Sequence, residues 1–133
     1  MIIKGRKVVG GHAMGEALVS NDPVGFYGGV DPETGVVTEP GHDLEGKSLA
    51  GKVLIFPHGK GSTVGSYVIY RMSKLGKAPA AIINKETESI IATGCVLANI
   101  PLIDRTEKDP LEVFKTGSLI KVNADEGYVQ LVS

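Results

Sequence analysis

The sequence has a single cysteine, Cys95, no tryptophan, and only 5% aromatic residues. One cysteine excludes an internal disulfide, and one thiolate cannot hold zinc or an iron–sulfur cluster without ligands from elsewhere. With so few aromatic side chains, the core must be built mainly from Val, Ile, Leu and Ala. Hydrophobic residues make up 42% of the 133 residues, enough for a core in a chain that buries roughly two-thirds of its unfolded surface. We therefore expect residues 1–133 to form one domain.

The sequence also lacks a charge excess, since its formal net charge is −1 and no segment concentrates lysine or arginine. This balance argues against nucleic acid or anionic lipid as the main partner. No apolar run approaches the roughly 20 residues of a membrane span. The N-terminal MIIKGRKVVGG lacks the long apolar segment of a signal peptide. We expect a cytoplasmic protein that binds neither nucleic acid nor membrane.

Glycine, in contrast, is plentiful, with 18 residues that favour turns and close backbone approaches. Apolar runs predict buried strands at 53–56 and within APAAIIN and IPLID. Helices are predicted over 64–75, with Gly76 as C-cap, and over 89–98, where residues apolar nearly all round predict a shorter, buried helix. A helical turn is expected at Asp109-Pro110, and a hairpin around 125–127 ends the chain. The order predicts an α/β domain with a β-rich N-terminal part and helices packed on a central sheet.

GHDLEGKS, residues 41–48, matches the P-loop pattern letter for letter. That pattern binds phosphates only where a buried strand leads into it and a helix leaves it. Here the polar TEPG precedes it, and Gly51 and a predicted strand follow. We interpret the segment as a surface connection.

FPHGKGSTVGSYV, which begins at Phe56, has the context that the previous segment lacks. A strand enters this Gly-rich loop and a helix leaves it, so backbone amides and about half a positive charge meet at the turn. Such a place suits a carboxylate, a phosphate or a developing alkoxide. The simpler alternative is that Ser62 or Thr63 only caps the helix.

Outside the loop, the chemically capable side chains show no pattern typical of a site. His12 and His42 lie in Gly-rich segments and are expected on the surface, as is His58 beside the loop. Cys95 is expected to pack as a small hydrophobe, and the acidic residues form no evident acid/base pair. The chain, if it belongs to an enzyme, supplies one part of a shared site.

Three segments together carry a family resemblance: GGVDPETG, GKGSTVGS and ATGCVLANIP, in this order along nearly the whole chain. The sequence resembles the aconitase X swivel-domain family. The resemblance implies a swivelling β/β/α domain that acts as the small subunit of a hydro-lyase. It also implies a large catalytic subunit that carries a [4Fe–4S] cluster on its own cysteines, with no metal bound by this chain. The implied reaction dehydrates (R)-5-phosphomevalonate to trans-anhydromevalonate 5-phosphate in an archaeal-type mevalonate pathway to isoprenoids.

The same resemblance implies the roles of three loop residues. The proton acceptor of the family is the serine of the Gly-rich loop, which here is Ser62. Amides near Gly61 and Thr63 could hold a carboxylate or a phosphate of the substrate, and Lys60 could favour the ionised serine.

Three alternatives stay open at this point. A related aconitase X enzyme would dehydrate cis-3-hydroxy-L-proline, and this chain holds none of the residues that would choose between the substrates. A phosphohistidine-type swivelling carrier would need a reactive histidine in the loop, where only His58 is available. A purely structural subunit would use Ser62 only as a cap.

Overall fold

The computed structural model describes all 133 residues. Eight strands and four helices form, two of the helices being single turns. The strands are β1 (Ile2–Lys4), β2 (Arg6–Val9), β3 (His12–Val19), β4 (Val53–Phe56), β5 (Ala81–Asn84), β6 (Leu102–Asp104), β7 (Leu119–Asn123) and β8 (Tyr128–Leu131). The helices are α1 (Phe26–Gly29), α2 (Gly65–Lys74), α3 (Ser89–Ala98) and α4 (Pro110–Val113).

The strands are ordered β1-β8-β7-β3-β4-β5-β6-β2, with β3, β4, β5 and β6 parallel and the other neighbours antiparallel. Strand β3 changes partner along its length. Residues 12–16 pair with β7, and residues 17–19 pair with β4. Gly15 stands at this change, where a Cβ would lie 2.7 Å from the carbonyl oxygen of Gly51. One strand therefore belongs to two sheet layers.

Alternation along β4 shows how the layers stack, because successive side chains of a strand point to opposite faces. Val53 and Ile55 belong to a core shared with residues of β1, β7 and β8, between the two sheet layers. Leu54 and Phe56 belong to a second core, shared with α2 and α3. The result is a three-layer β/β/α arrangement, which confirms the predicted fold class.

Helices α2 and α3 each follow a parallel strand and lie side by side. The Ser66 hydroxyl donates to the carbonyl of Ile90 at 2.7 Å, and the Ser73 hydroxyl to that of Ala98 at 3.4 Å. Between these two hydrogen bonds the helices approach each other at Gly94, where a Cβ would lie 2.6 Å from Cδ1 of Ile69. The close approach of the two helices depends on this glycine.

We expect Gly94→Val to destabilise the fold by about 1–3 kcal/mol, the usual cost of overpacking, although valine has the higher helix propensity. Urea unfolding followed by circular dichroism measures the change. The matched control is Thr93→Val, which introduces the same side chain at an exposed neighbour and should change stability by less than about 0.5 kcal/mol. A Gly94→Val protein as stable as the wild type would contradict the packing argument.

The predicted elements from 53 onward are confirmed, with boundaries within a few residues. The expected surface position of His42 is wrong: the side chain is buried, with Nδ1 accepting from the N–H of Leu44 and Nε2 bonded to the carbonyl of Pro23, each at 2.9 Å. Leu44 is buried as well, so segment 41–48 is not merely a surface connection. His12 is exposed as expected, but it lies on β3 rather than in a loop.

Helix α3 is also more exposed than its composition predicts. Its inner residues are buried, whereas Val96 and Leu97 face solvent.

Candidate functional site

The Gly-rich loop of residues 57–64 joins β4 to α2 at the carboxyl ends of the parallel strands β4 and β5. Ligands of parallel α/β sheets bind at this edge, where loops and helix N-termini meet. Gly61 has a φ of +87°, which a residue with a Cβ rarely adopts. A Cβ on Gly59 would overlap the carboxylate of Glu88 and the side chain of Ile91. The glycines therefore fix the course of the loop.

Ser62 is exposed, and its Oγ accepts a hydrogen bond from the N–H of Val64 at 3.1 Å. Val64 holds the N-cap position of α2 and provides no side-chain cap. The chain enters the helix through tight turns, in which the carbonyls of Ser62 and Thr63 accept from Gly65 at 2.9 Å and Ser66 at 3.2 Å. Ser62 thus orders the turn before the helix and keeps its hydroxyl hydrogen available.

Three successive backbone N–H groups of the loop, those of Gly61, Ser62 and Thr63, donate to no acceptor in the chain. All three residues are exposed. Unpaired amides at a helix N-terminus form a place where an anion is stabilised. The loop therefore offers an anion a set of donors beside a serine hydroxyl.

Val24 and Glu39, both distant from the loop in sequence, hold it in place. The N–H of Val24 donates to the carbonyl of His58 at 3.3 Å, and the N–H of Lys60 donates to the carbonyl of Val24 at 3.1 Å. The ammonium group of Lys60 lies 2.9 Å from Oε2 of Glu39. Lys60 is therefore paired with a carboxylate in this state.

Glu88 supports the loop from the other side. Its carboxylate caps α3, accepting from the N–H groups of Ile90 at 2.9 Å and Ile91 at 2.8 Å. The same carboxylate packs against Gly59. The positions of the loop and of α3 are thereby linked.

The segment that leads into α3 is anchored in turn by Asp104, whose side chain is fully buried. Asp104 accepts two hydrogen bonds from Arg6, each at 2.8 Å, and one from the N–H of Thr87 at 2.7 Å. Burial opposes the charge of this carboxylate, but the hydrogen bonds from Arg6 and Thr87 outweigh it and hold the pKa of Asp104 below its usual value.

An open cleft of about 310 Å³ lies between the N-terminal halves of α2 and α3. Its lining includes Thr63 of the loop. The other lining residues are Val64, Ser66, Tyr67, Ser89, Ile90 and Thr93.

The structure places the predicted site residues Gly61, Ser62 and Thr63 together on the exposed edge, and their roles stay predictions. Cys95 is buried as expected, and burial raises the pKa of its thiol. No three side chains of His, Cys, Asp or Glu converge in a way that could hold a metal ion.

The sequence analysis missed three supports of the loop: Val24, Glu39 and Glu88. Only Glu88 had a local signal, since it stands directly before an apolar helix at the capping position.

The sequence pattern of the aconitase X swivel domain matches residues 2–131. The chain belongs to the aconitase X swivel domain family. Two curated relatives are both named phosphomevalonate dehydratase small subunit. The one from Methanosarcina acetivorans is 56% identical over 130 residues, which cover 98% of this chain and 90% of the relative. The one from Thermococcus gammatolerans is 55% identical over 132 residues, covering 99% and 98%.

Two solved structures agree with this membership. The crystal structure of Thermococcus kodakaraensis aconitase X in its holo-form has a TM-score of 0.94 at 52% identity, covering 100% of this chain and 99% of that one. The solution NMR structure of a UPF0107 protein has a TM-score of 0.91 at 49% identity, with full coverage of both chains. The predicted family is confirmed. No helix of the chain is long and apolar enough to span a membrane.

Proposed function

We propose that this chain is the small subunit of a phosphomevalonate dehydratase and that residues 1–133 act as one swivel domain in the cytoplasm. The observation that carries the proposal is the exposed Ser62 among unpaired amides, in a chain more than half identical to subunits named for this activity. The substrate would be (R)-5-phosphomevalonate and the product trans-anhydromevalonate 5-phosphate.

Ser62 would act as the base of the elimination. The proton to be removed lies α to the substrate carboxylate and is only weakly acidic, so a strong base such as an alkoxide is needed. The N–H of Val64, already 3.1 Å from Oγ, and the positive end of α2 would favour the ionised serine. As the proton moves to Oγ, the hydroxyl leaves the neighbouring carbon, and together they account for the water released.

Gly61 and Thr63 would hold an anionic group of the substrate through their unpaired N–H groups. Both the carboxylate and the phosphate are suitable acceptors. Binding either of them at this turn would place the substrate next to Ser62, which is the arrangement that proton transfer requires.

The partner in this proposal is a larger subunit that carries a [4Fe–4S] cluster. The residues of the small chain do not fit such a group, because Cys95 is buried inside the helix layer and no set of ligands converges. The ligands would therefore come from the larger subunit, and this chain would contribute the base and the amides.

The relatives' names favour this reading over the hydroxyproline dehydratase. Those names also favour it over a phosphohistidine carrier.

The proposal is tested with the two chains co-expressed and purified without oxygen. We expect the complex to dehydrate (R)-5-phosphomevalonate and to leave cis-3-hydroxy-L-proline unchanged, as measured by NMR of the products. Each chain alone should be inactive. Activity on the proline substrate only, or activity of the small chain without its partner, would contradict the proposal.

A further inference from the structure

His42 is a buried histidine whose two ring nitrogens are both hydrogen-bonded inside the protein, and it is only 7% exposed. Nδ1 lies 2.9 Å from the amide nitrogen of Leu44, and Nε2 lies 2.9 Å from the carbonyl oxygen of Pro23. A backbone N–H can only donate and a carbonyl oxygen can only accept, so Nδ1 must be the acceptor and Nε2 must carry the hydrogen. These contacts fix His42 as one neutral tautomer in one orientation.

Two aspartates join the same two segments that the histidine joins. The N–H of Asp43 donates to Oδ2 of Asp22 at 2.8 Å, and the N–H of Asn21 donates to Oδ2 of Asp43 at 3.3 Å. Neither segment lies in a helix or a strand, so bonds from side chains to the backbone must fix the path of the chain. The segment that resembles a P-loop only in its letters is thus a support for the segment around Pro23.

The peptide group that accepts from His42 also holds the Gly-rich loop. The carbonyl of Pro23 and the N–H of Val24 are opposite sides of one planar peptide group. That N–H donates to the carbonyl of His58 at 3.3 Å, and the carbonyl of Val24 accepts from the N–H of Lys60 at 3.1 Å. Because the group is planar, its carbonyl cannot turn away without turning its N–H away from the loop. The hydrogen bond from His42 therefore orients the donor that the loop depends on.

We propose that His42 is a positioning residue for Ser62, acting through the peptide group between Pro23 and Val24. This inference rests on the proposed function, because it takes Ser62 as the proton acceptor. While the bond from Nε2 is made, the loop is fixed as far as Lys60, and Ser62 follows two residues later. Without the bond the peptide group can rotate and the serine shifts. A shift of about 1 Å in a reacting group can cost on the order of 10²-fold in rate.

Two substitutions divide the hydrogen bonds of the histidine between them. The amide nitrogen of His42→Gln has about the reach of Nε2, so this variant keeps the bond to Pro23 and loses the acceptor for Leu44. The side-chain oxygen of His42→Asn has about the reach of Nδ1 and accepts from the N–H two residues on, as asparagine does in turns. This variant leaves Pro23 unbonded. Each loses one bond of the buried ring, so urea unfolding should show similar losses of stability.

The first measurement is kcat for dehydration of 5-phosphomevalonate by each variant assembled with the larger subunit. We expect His42→Asn to lower kcat about 10–100-fold and His42→Gln to stay within about threefold of the wild type. The second is amide hydrogen exchange of the full small chain without partner or substrate. The N–H of Lys60 should exchange at least about tenfold faster in His42→Asn, and not in His42→Gln.

His12→Asn is the matched control. His12 has a side chain 60% exposed and begins β3, at the end of the sheet opposite the loop. The same substitution there should change neither kcat nor the exchange of Lys60. Circular dichroism of each chain checks that it is folded.

Equal kcat in the two His42 variants would overturn the proposal, because the histidine would then matter only for folding. A folded His42→Gln chain with kcat lowered more than about tenfold would do so by itself. Unchanged exchange of Lys60 in His42→Asn would also overturn it. The outcome is separable from the proposed reaction. A wild-type complex that leaves 5-phosphomevalonate unchanged would refute the reaction, whereas exchange at Lys60 still decides whether His42 holds the loop.

Discussion

Replacing Ser62 with alanine is expected to lower kcat of the assembled enzyme by about 10²–10⁴-fold, the contribution typical of a positioned base. The ionised oxygen of Ser62 is the proton acceptor in the proposed elimination, and the alanine variant has no group to replace it. Assembly with the larger subunit should persist, because the side chain is exposed and its one hydrogen bond joins it to Val64. Dehydration kinetics of the purified complex measure the loss.

Ser62→Asn separates the base from the structural role. Asparagine can accept the N–H of the residue two positions on, as the serine does, and so keeps the turn before α2. We expect this variant to retain stability while its activity falls as far as that of Ser62→Ala. If Ser62→Asn were as active as the wild type, the serine would only order the turn and the base would lie in the partner.

Arg6→Met is expected to lower the free energy of unfolding near neutral pH by more than the loss of an exposed ion pair would, because it removes both hydrogen bonds of the half-exposed Arg6 from the buried carboxylate of Asp104. In the wild type the folded-state pKa of Asp104 lies below the unfolded value. Its stabilising contribution is therefore complete above the unfolded pKa and is lost as pH falls through the folded pKa. The difference between variant and wild type should shrink in acid. Urea unfolding near neutral pH and at about pH 3 measures both effects.

Arg105→Met is the matched control, since Arg105 forms a two-bond pair with Glu86 at 2.9 Å and 2.8 Å. Both side chains of that pair are more than half exposed. An exposed ion pair contributes about 1 kcal/mol or less. Equal losses in the two variants would show that burial of Asp104 does not decide the cost.

The sequence predicted the part of the fold in which local pattern and tertiary structure agree. The run at 53–56 is buried on both faces, and the stop at Gly76 matches a glycine with a φ of +71°. His42 was misplaced because its burial depends on Pro23, which no local pattern connects to it. The exposure of Val96 was missed for a related reason, since apolar composition does not show which side of a helix the rest of the chain covers.

Part of the candidate site could likewise be predicted from the sequence, and part could not. Ser62 and its neighbours follow from a strand, a Gly-rich turn and a helix in succession, and the family resemblance supplied their roles. Lys60 was considered free to act on the serine, whereas Glu39 pairs with it across 21 positions of sequence. Contacts of this kind depend on the path of residues 21–50, which is mostly irregular and has no periodicity to predict it.

The strand β3 that pairs with β7 in its first half and with β4 in its second has a consequence for unfolding. Because β3 belongs to both sheet layers, unfolding of one layer removes a strand from the other. Neither layer can therefore unfold while the other stays folded. Local opening is then confined to segments outside the paired strands. The two layers therefore behave as one cooperative unit.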